Sequence, residues 1–145
     1  MPARPVREIL GRRMPVRAGP GDTVRQAARL MDAHACGSVV VLDETGRLVG
    51  IFTERDLTRR VVARGLDPDT TPLSAVMTRD PDTITADAPV AEAIRRMDAG
   101  GHRHLPVMDG DRVVGVVAPE DIPVAELVRL ADELEVRHRL AERMW

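Results

Sequence analysis

The feature that most constrains this chain is that its pattern is written twice. Val24, Ala27, Ala28 and Met31 fall at i, i+3, i+4 and i+7, the spacing of one helix face. Val90, Ala93, Ile94 and Met97 repeat that spacing 66 residues later. The stretch LVGIFTERDL, Leu48 to Leu57, returns as VVGVVAPEDI, Val113 to Ile122, now 65 residues later. The offset drops by one because the turn Asp43-Glu44-Thr45-Gly46 shortens to Asp109-Gly110-Asp111. A duplicated unit implies two similar halves packed about a pseudo-twofold axis. A ligand cleft then belongs between the halves, and can itself come in two copies.

Composition excludes several classes. The chain has 145 residues, enough to bury a stable core, and 43% of them are apolar, which argues against disorder. No apolar run reaches the ~18 residues a membrane helix needs and no signal peptide is visible, so the expectation is a cytoplasmic protein away from membranes. A single cysteine, Cys36, excludes an internal disulfide and leaves no CxxC pair; the expectation for it is an inert, buried thiol. The net charge is −2 with both signs interspersed, and the only aromatic residues are Phe52 and Trp145. Neither a nucleic-acid footprint nor a stacking platform for single strands is present. A bound base would be held between aliphatic side chains and backbone.

Each half reads as helix, strand, helix, strand, strand, helix. In the first, residues 7–10 are a short helix, 15–17 an extended piece, and Asp22 is the expected cap of a helix ended by Gly37. Residues 38–42 and 48–52 are strands, and Thr53 caps a helix that stops at Gly65. In the second, residues 73–77 are helix, 83–85 extended, 88–99 helix closed by Gly100-Gly101, and 105–108 and 112–117 strands. Pro106 lacks a ladder donor, so its strand is expected to be interrupted or to lie at an edge, leaving neighbouring backbone groups free to meet a ligand. The reading is an α+β, or α/β, fold of two β-α-β-β-α repeats. Its division is 1–65 for repeat one, 66–72 for a linker, 73–122 for repeat two and 123–145 for a C-terminal amphipathic helix. In that tail Val124, Leu127, Ala131, Leu134, His138 and Ala141 alternate by three and four. Both a cover for the chain's own core and a dimerisation helix fit this stripe.

The phrases GIFTERDL and GHRHLPVMDGDRVVGVV, and the order of elements repeated twice, resemble the cystathionine-β-synthase (CBS) domain family, from about Val6 to Ile122 as a tandem pair. The resemblance implies a disc-shaped, non-catalytic module whose cleft binds adenosine-containing ligands such as AMP, ADP, ATP or S-adenosylmethionine. It also implies a metabolite or energy sensor that pairs as a homodimer and reports to a regulated protein. No cofactor and no metal are expected.

Gly50, Thr53 and Asp56 match the family motif G-h-h-[ST]-x-x-D, whose carboxylate takes ribose hydroxyls and whose hydroxyl suits a phosphate. Thr-x-x-Asp is equally a capping box that needs no ligand, and the two roles are compatible. In repeat two Gly115 and Asp121 remain, but Ala118 replaces the hydroxyl and Pro119 follows it. His102, Arg103 and His104 follow Gly100-Gly101; Arg103 can fork onto a phosphate and either histidine can add a donor. The plainer alternatives are surface histidines and an Arg103 ion pair. The matching stretch of repeat one offers only Ser38 and no cation. Val16 and Ile84 open the short strands, where the family packs adenine, and Thr83 and Thr85 flank Ile84; simple core packing is the alternative. The resulting expectation is unequal sites. The better one combines Thr53, Asp56 and Arg103; the other has Asp121 without a cation. Arg103 has no use for a sulfonium, so S-adenosylmethionine is mildly disfavoured against AMP, ADP or ATP. A rival reading is a ligand-independent dimerisation scaffold with degenerate clefts; an enzyme built on His102 or His104 is a weaker third.

Overall fold

The computed structural model describes residues 4–129. The tail stripe beyond residue 129 lies outside them, while residues 124–129 are helical. In chain order the elements are α1 (Val6–Leu10), β1 (Arg17–Ala18), α2 (Val24–His34), β2 (Ser38–Leu42) and β3 (Leu48–Thr53). Next comes α3 (Glu54–Asp56), which widens into a π-helical stretch at Leu57–Val62. The second half has a 3₁₀ turn at Leu73–Ala75, shorter than the helix expected over 73–77, then β4 (Thr78–Arg79) and β5 (Ile84–Thr85). It closes with α4 (Val90–Gly100), β6 (Leu105–Asp109), β7 (Arg112–Val117) and a 3₁₀ turn at Pro119–Asp121.

Local chemistry sets the helix ends. The cap of α2 is Thr23, not Asp22. Thr23 Oγ1 accepts the Gln26 N–H at 3.2 Å, and Gln26 Oε1 accepts the Thr23 N–H at 2.8 Å. Three residues after Asp22 stands Arg25, which has no acceptor to return, so the box closes one position later. Asp22 instead accepts the Gly19 N–H at 2.7 Å. The helix also ends before Gly37: Ala35 takes the left-handed conformation, φ 50°. Its counterpart in the second half is Gly101, φ 67°, which adopts it without the Cβ penalty of about 1 kcal/mol.

Two sheets result. One has the order β1-β2-β3-β4, the other β5-β6-β7. β1 is parallel to β2, β5 is parallel to β6, and the remaining pairs are antiparallel. Strand β4 was not expected; it is two residues long and pairs only Gly50 and Ile51. Pro106 sits in the central strand β6, neither at an edge nor at a break. Its missing donor shifts the parallel pairing instead. In the first sheet Val40, the equivalent of Pro106, donates to Val16 O at 2.9 Å and pairs with Arg17. In the second, pairing begins one residue later, at Ile84 with Val107.

Each half's lead segment packs in the other half. Val6 and Leu10 of α1 belong to the core built from Ile84, Val90, Leu105, Val107 and Val117. Leu73, Val76 and Met77 belong to the core built from Val24, Met31, Val39, Phe52 and Val61. The backbone follows the same exchange. The first free donors of α2 go to Thr71 O (Val24 N–H, 3.0 Å) and Pro68 O (Arg25 N–H, 2.9 Å), and that of α4 goes to Arg4 O (Val90 N–H, 2.9 Å). Glycine permits the close approach of both lead segments: a Cβ at Gly50 would lie 2.5 Å from Met77 Sδ, and one at Gly115 would lie 2.9 Å from Leu10 Cδ1.

Candidate functional site

Two clefts lie between the halves. The larger, about 1080 Å³, is walled by Ala28, Met31, Ile51 and Leu57 on its apolar side and by Thr53, Asp56 and Arg60 at the β3–α3 junction. The opposite wall is the α4–β6 turn, with His102, Arg103 and His104. The smaller, about 660 Å³, holds Val16, Ser38, Ala118 and Asp121, together with Arg13 and Arg17. Ala35, Cys36, Gly37, His104 and Glu120 line both clefts and so form their shared partition.

At the first cleft, strand β3 runs directly into a helix start. Asp56 is only 8% exposed. Its Oδ2 accepts the Thr53 N–H at 3.0 Å and the Thr53 hydroxyl at 3.2 Å, while Thr53 Oγ1 accepts the Asp56 N–H at 3.3 Å. The capping box is therefore real. It uses one carboxylate oxygen; among the described residues the other has Arg60 Nε at 3.5 Å and no hydrogen bond. Arg60 is tethered elsewhere, donating through Nη1 to Val76 O (3.2 Å) and Met77 O (3.0 Å). The i,i+4 spacing from Asp56 is the signal that could have found Arg60 in the sequence. Arg55, also unforeseen, reaches across the seam and donates to Gly101 O at 3.3 Å.

Across the cleft, Arg103 is exposed and forms no ion pair among the described residues. His102 Nε2 lies 2.8 Å from Asp82 Oδ2, so it has a partner within its own half. His104 is half-buried and rests on Gly37, where a Cβ would come within 3.1 Å of Nε2. Burial pushes its imidazole below the ordinary histidine range against the pull of Glu120; Arg103 pushes the same way as burial, and Glu54 and Asp121 oppose it.

Thr53, Asp56, His102, Arg103 and His104 thus meet at one cleft, and Val16, Ser38, His104 and Asp121 at the other. Three expected residues line neither. Ile84 is core, 2% exposed, because its side chain points into the second half's own cluster. The Thr83 carbonyl is taken by Arg96 Nη1 at 2.6 Å. Pro106 is buried within the sheet. The second cleft also departs from expectation in charge: half one does supply cations there, Arg13 and Arg17.

Among the described residues no group of three or more His, Cys, Asp or Glu is placed to hold a metal ion, and no helix is long and apolar enough to cross a membrane.

Comparison with known proteins agrees with this architecture. A CBS domain family model matches residues 6–63 and again 73–131. An Arabidopsis thaliana CBS domain-containing protein, CBSCBSPB2, is 40% identical over 97 residues, which is 67% of this chain but only 18% of that protein. The chain thus spans under a fifth of that relative's length. A Pyrobaculum aerophilum CBS domain protein, solved with AMP, superposes with a TM-score of 0.81 at 29% identity, covering 89% of this chain and 99% of that one. The CBS pair of MJ0100, solved with 5′-methylthioadenosine and S-adenosyl-L-methionine, gives 0.75 at 30% identity, covering 88% and 97%. CBS domains are regulatory, non-catalytic modules. With both repeats matched and their lead segments exchanged between two cores, the chain belongs to the CBS domain family as a tandem pair.

Proposed function

We propose that this module senses an adenine nucleotide bound in the larger cleft. The observation that carries the reading is the facing of a buried acid with an open oxygen, Asp56, by an exposed cation, Arg103, across the seam. A ribose needs an acceptor for its hydroxyls, and Asp56 has one oxygen not committed to the cap. A phosphate needs a forked donor, which Arg103 supplies, with the His104 ring beside it. The base meets Ala28, Met31, Ile51 and Leu57, an aliphatic wall suited to a chain almost without aromatics. The adenosine compounds held by the Pyrobaculum and MJ0100 modules support the same ligand class.

A mononucleotide such as AMP, or ADP or ATP, uses Arg103; S-adenosylmethionine does not, and enters the test as a competitor. Ligand in the seam favours one arrangement of the halves through its differential affinity for the two arrangements. On this reading the module acts in the cytoplasm as a homodimer and passes its ligand state, as an energy sensor does, to a regulated protein. Titration calorimetry with AMP, ATP, adenosine and S-adenosylmethionine tests it. Arg103→Ala should weaken AMP by roughly 10-fold or more and leave adenosine unchanged, because a charged hydrogen bond is lost only for the phosphate. Equal affinity of wild type and variant for AMP refutes the phosphate assignment. No binding of any adenosine compound favours a ligand-independent dimerisation scaffold.

A further inference from the structure

The second cleft carries an acid at the place equivalent to Asp56, but that acid is already engaged. The Asp121 side chain is 10% exposed. Its Oδ2 accepts the Ala118 N–H at 2.8 Å, and its Oδ1 lies 2.8 Å from Arg13 Nη2. Both oxygens are therefore committed. In the first cleft the arginine beside the acid is Arg60, one helical turn on; it stands 3.5 Å from Asp56 Oδ1 and is held back by the Val76 and Met77 carbonyls.

The difference follows the strap of chain after each lead segment. Leu10 packs on Gly115, and three residues later comes Arg13. Met77 packs on Gly50 in the same way, and three residues later comes Asp80. The first strap thus brings Arg13 to the second cleft, whereas Asp80 lies away from the first cleft, in a separate hollow with Arg47 and Asp111. Among the described residues no arginine of the equivalent strap lines the first cleft, while Arg13 pairs with Asp121 in the second. The strap around Arg13 is fixed at both ends. Leu10 is anchored in the second half's core, and β1 is paired with β2 of the first. Arg13 Nε also donates to Leu10 O at 3.3 Å, which aims its fork.

We infer that Arg13 is an internal latch that occupies the sugar-binding end of the second cleft and makes it conditional, the first cleft being open. The inference rests on the nucleotide reading above. A nucleoside must take Asp121 Oδ1 from Arg13 before its ribose hydroxyls can be accepted. Apparent affinity falls in proportion to the fraction of molecules with the latch open. A latch closed about ten to one weakens the second cleft about tenfold relative to a latch-free molecule.

Titration with adenosine tests this, since an uncharged ligand is not attracted by Arg13. Arg13→Ala should tighten a second equivalent of adenosine about tenfold, leave the first unchanged, and lose the gain when combined with Asp121→Asn. Weaker second binding in Arg13→Ala, or the same second binding as wild type, overturns the latch. A second readout needs no ligand. Amide exchange over residues 12–16 should quicken alike in Arg13→Ala and Asp121→Asn, because either change frees the strap. Unchanged exchange in both overturns the latch. Failure of the nucleotide reading is separate: it shows as no adenosine binding by wild type or any variant, with the exchange result still deciding for or against Arg13.

Discussion

Replacing Asp56 in two ways separates its structural role from its binding role. Asp56→Ala removes the acceptor of the Thr53 N–H and hydroxyl in a nearly buried position. Losing a cap of this kind costs about 1–2 kcal/mol. For a chain of this size that is a fall in Tm of about 3–8 °C. Asp56→Asn keeps a carbonyl oxygen for the Thr53 N–H and so should cost under about 1 kcal/mol. Its amide nitrogen then replaces the oxygen left open beside Arg60, and an amide nitrogen cannot accept a ribose hydroxyl. Hydrogen bonds to a charged acceptor contribute about 1.5–3 kcal/mol, so adenosine and AMP should both weaken by roughly 10- to 100-fold. The assay is a pair of measurements on each variant: differential scanning calorimetry without ligand, and isothermal titration with adenosine. The expected pattern is a near-native Tm with lost affinity for Asp56→Asn, and both losses for Asp56→Ala. Undiminished adenosine binding in Asp56→Asn refutes the assignment of Asp56 to the sugar. An Asp56→Asn Tm as low as that of Asp56→Ala refutes the division between cap and ligand oxygen.

Other consequences follow from the partition and the exchanged segments. Cys36 lines both clefts, so AMP should slow its alkylation by a maleimide several-fold, with mass spectrometry as the readout; an unchanged rate places the ligand elsewhere. Leu73 is fully buried in the core of the other repeat, so Leu73→Ala should cost about 2–5 kcal/mol, and calorimetry should still show one transition; two separated transitions contradict the coupling of the halves. His104 has its pKa lowered in the folded state, so between that value and the ordinary one the unfolded chain binds more protons and stability rises with pH. The stability from its burial is thus fully present above the ordinary histidine pKa and is lost as pH falls; His104→Gln should flatten the Tm difference between pH 7.5 and 5.5, and an unchanged slope refutes this origin. Gly50→Ala should destabilise more than Gly115→Ala, since a Cβ at Gly50 meets the Thr78 carbonyl at 3.0 Å as well as Met77, whereas Gly115 meets only the flexible Leu10 side chain; a larger Tm loss in Gly115→Ala contradicts that ranking.

How much of this was legible in the sequence depends on whether the signal was local. Helix periodicity and strand alternation are properties of neighbouring residues, so the duplicated elements could be read directly, and so could the meeting of Thr53 with Asp56. The cap of α2 falls one residue past the expected one, because Thr23 has Gln26 three positions on and Asp22 has Arg25. Pro106 keeps a central place because a missing donor costs one pairing and not the whole strand. A two-residue neighbour can shift by one position and leave the proline unpaired on that side. The exchange of lead segments left no local trace: Val6 and Leu73 are apolar residues of short helices, and nothing near them in sequence says which core receives them.

The same blindness explains the misjudged second cleft. Counting cations within the segment equivalent to the α4–β6 turn finds none, with Ser38 its one hydroxyl. Arg13 reaches the second cleft because α1 crosses to the other half and carries the following strap with it. Once that exchange is known, the sequence does distinguish the clefts: the strap after Leu10 carries Arg13 to Asp121, and the strap after Met77 brings no arginine to the first cleft. Duplication explains why there are two clefts, and a single arginine in a strap outside the shared motif explains why they are not alike. Motif matching alone would rank the two sites by Thr53 against Ala118. The geometry ranks them by which carboxylate keeps an oxygen free, and that criterion is set from the opposite half of the molecule.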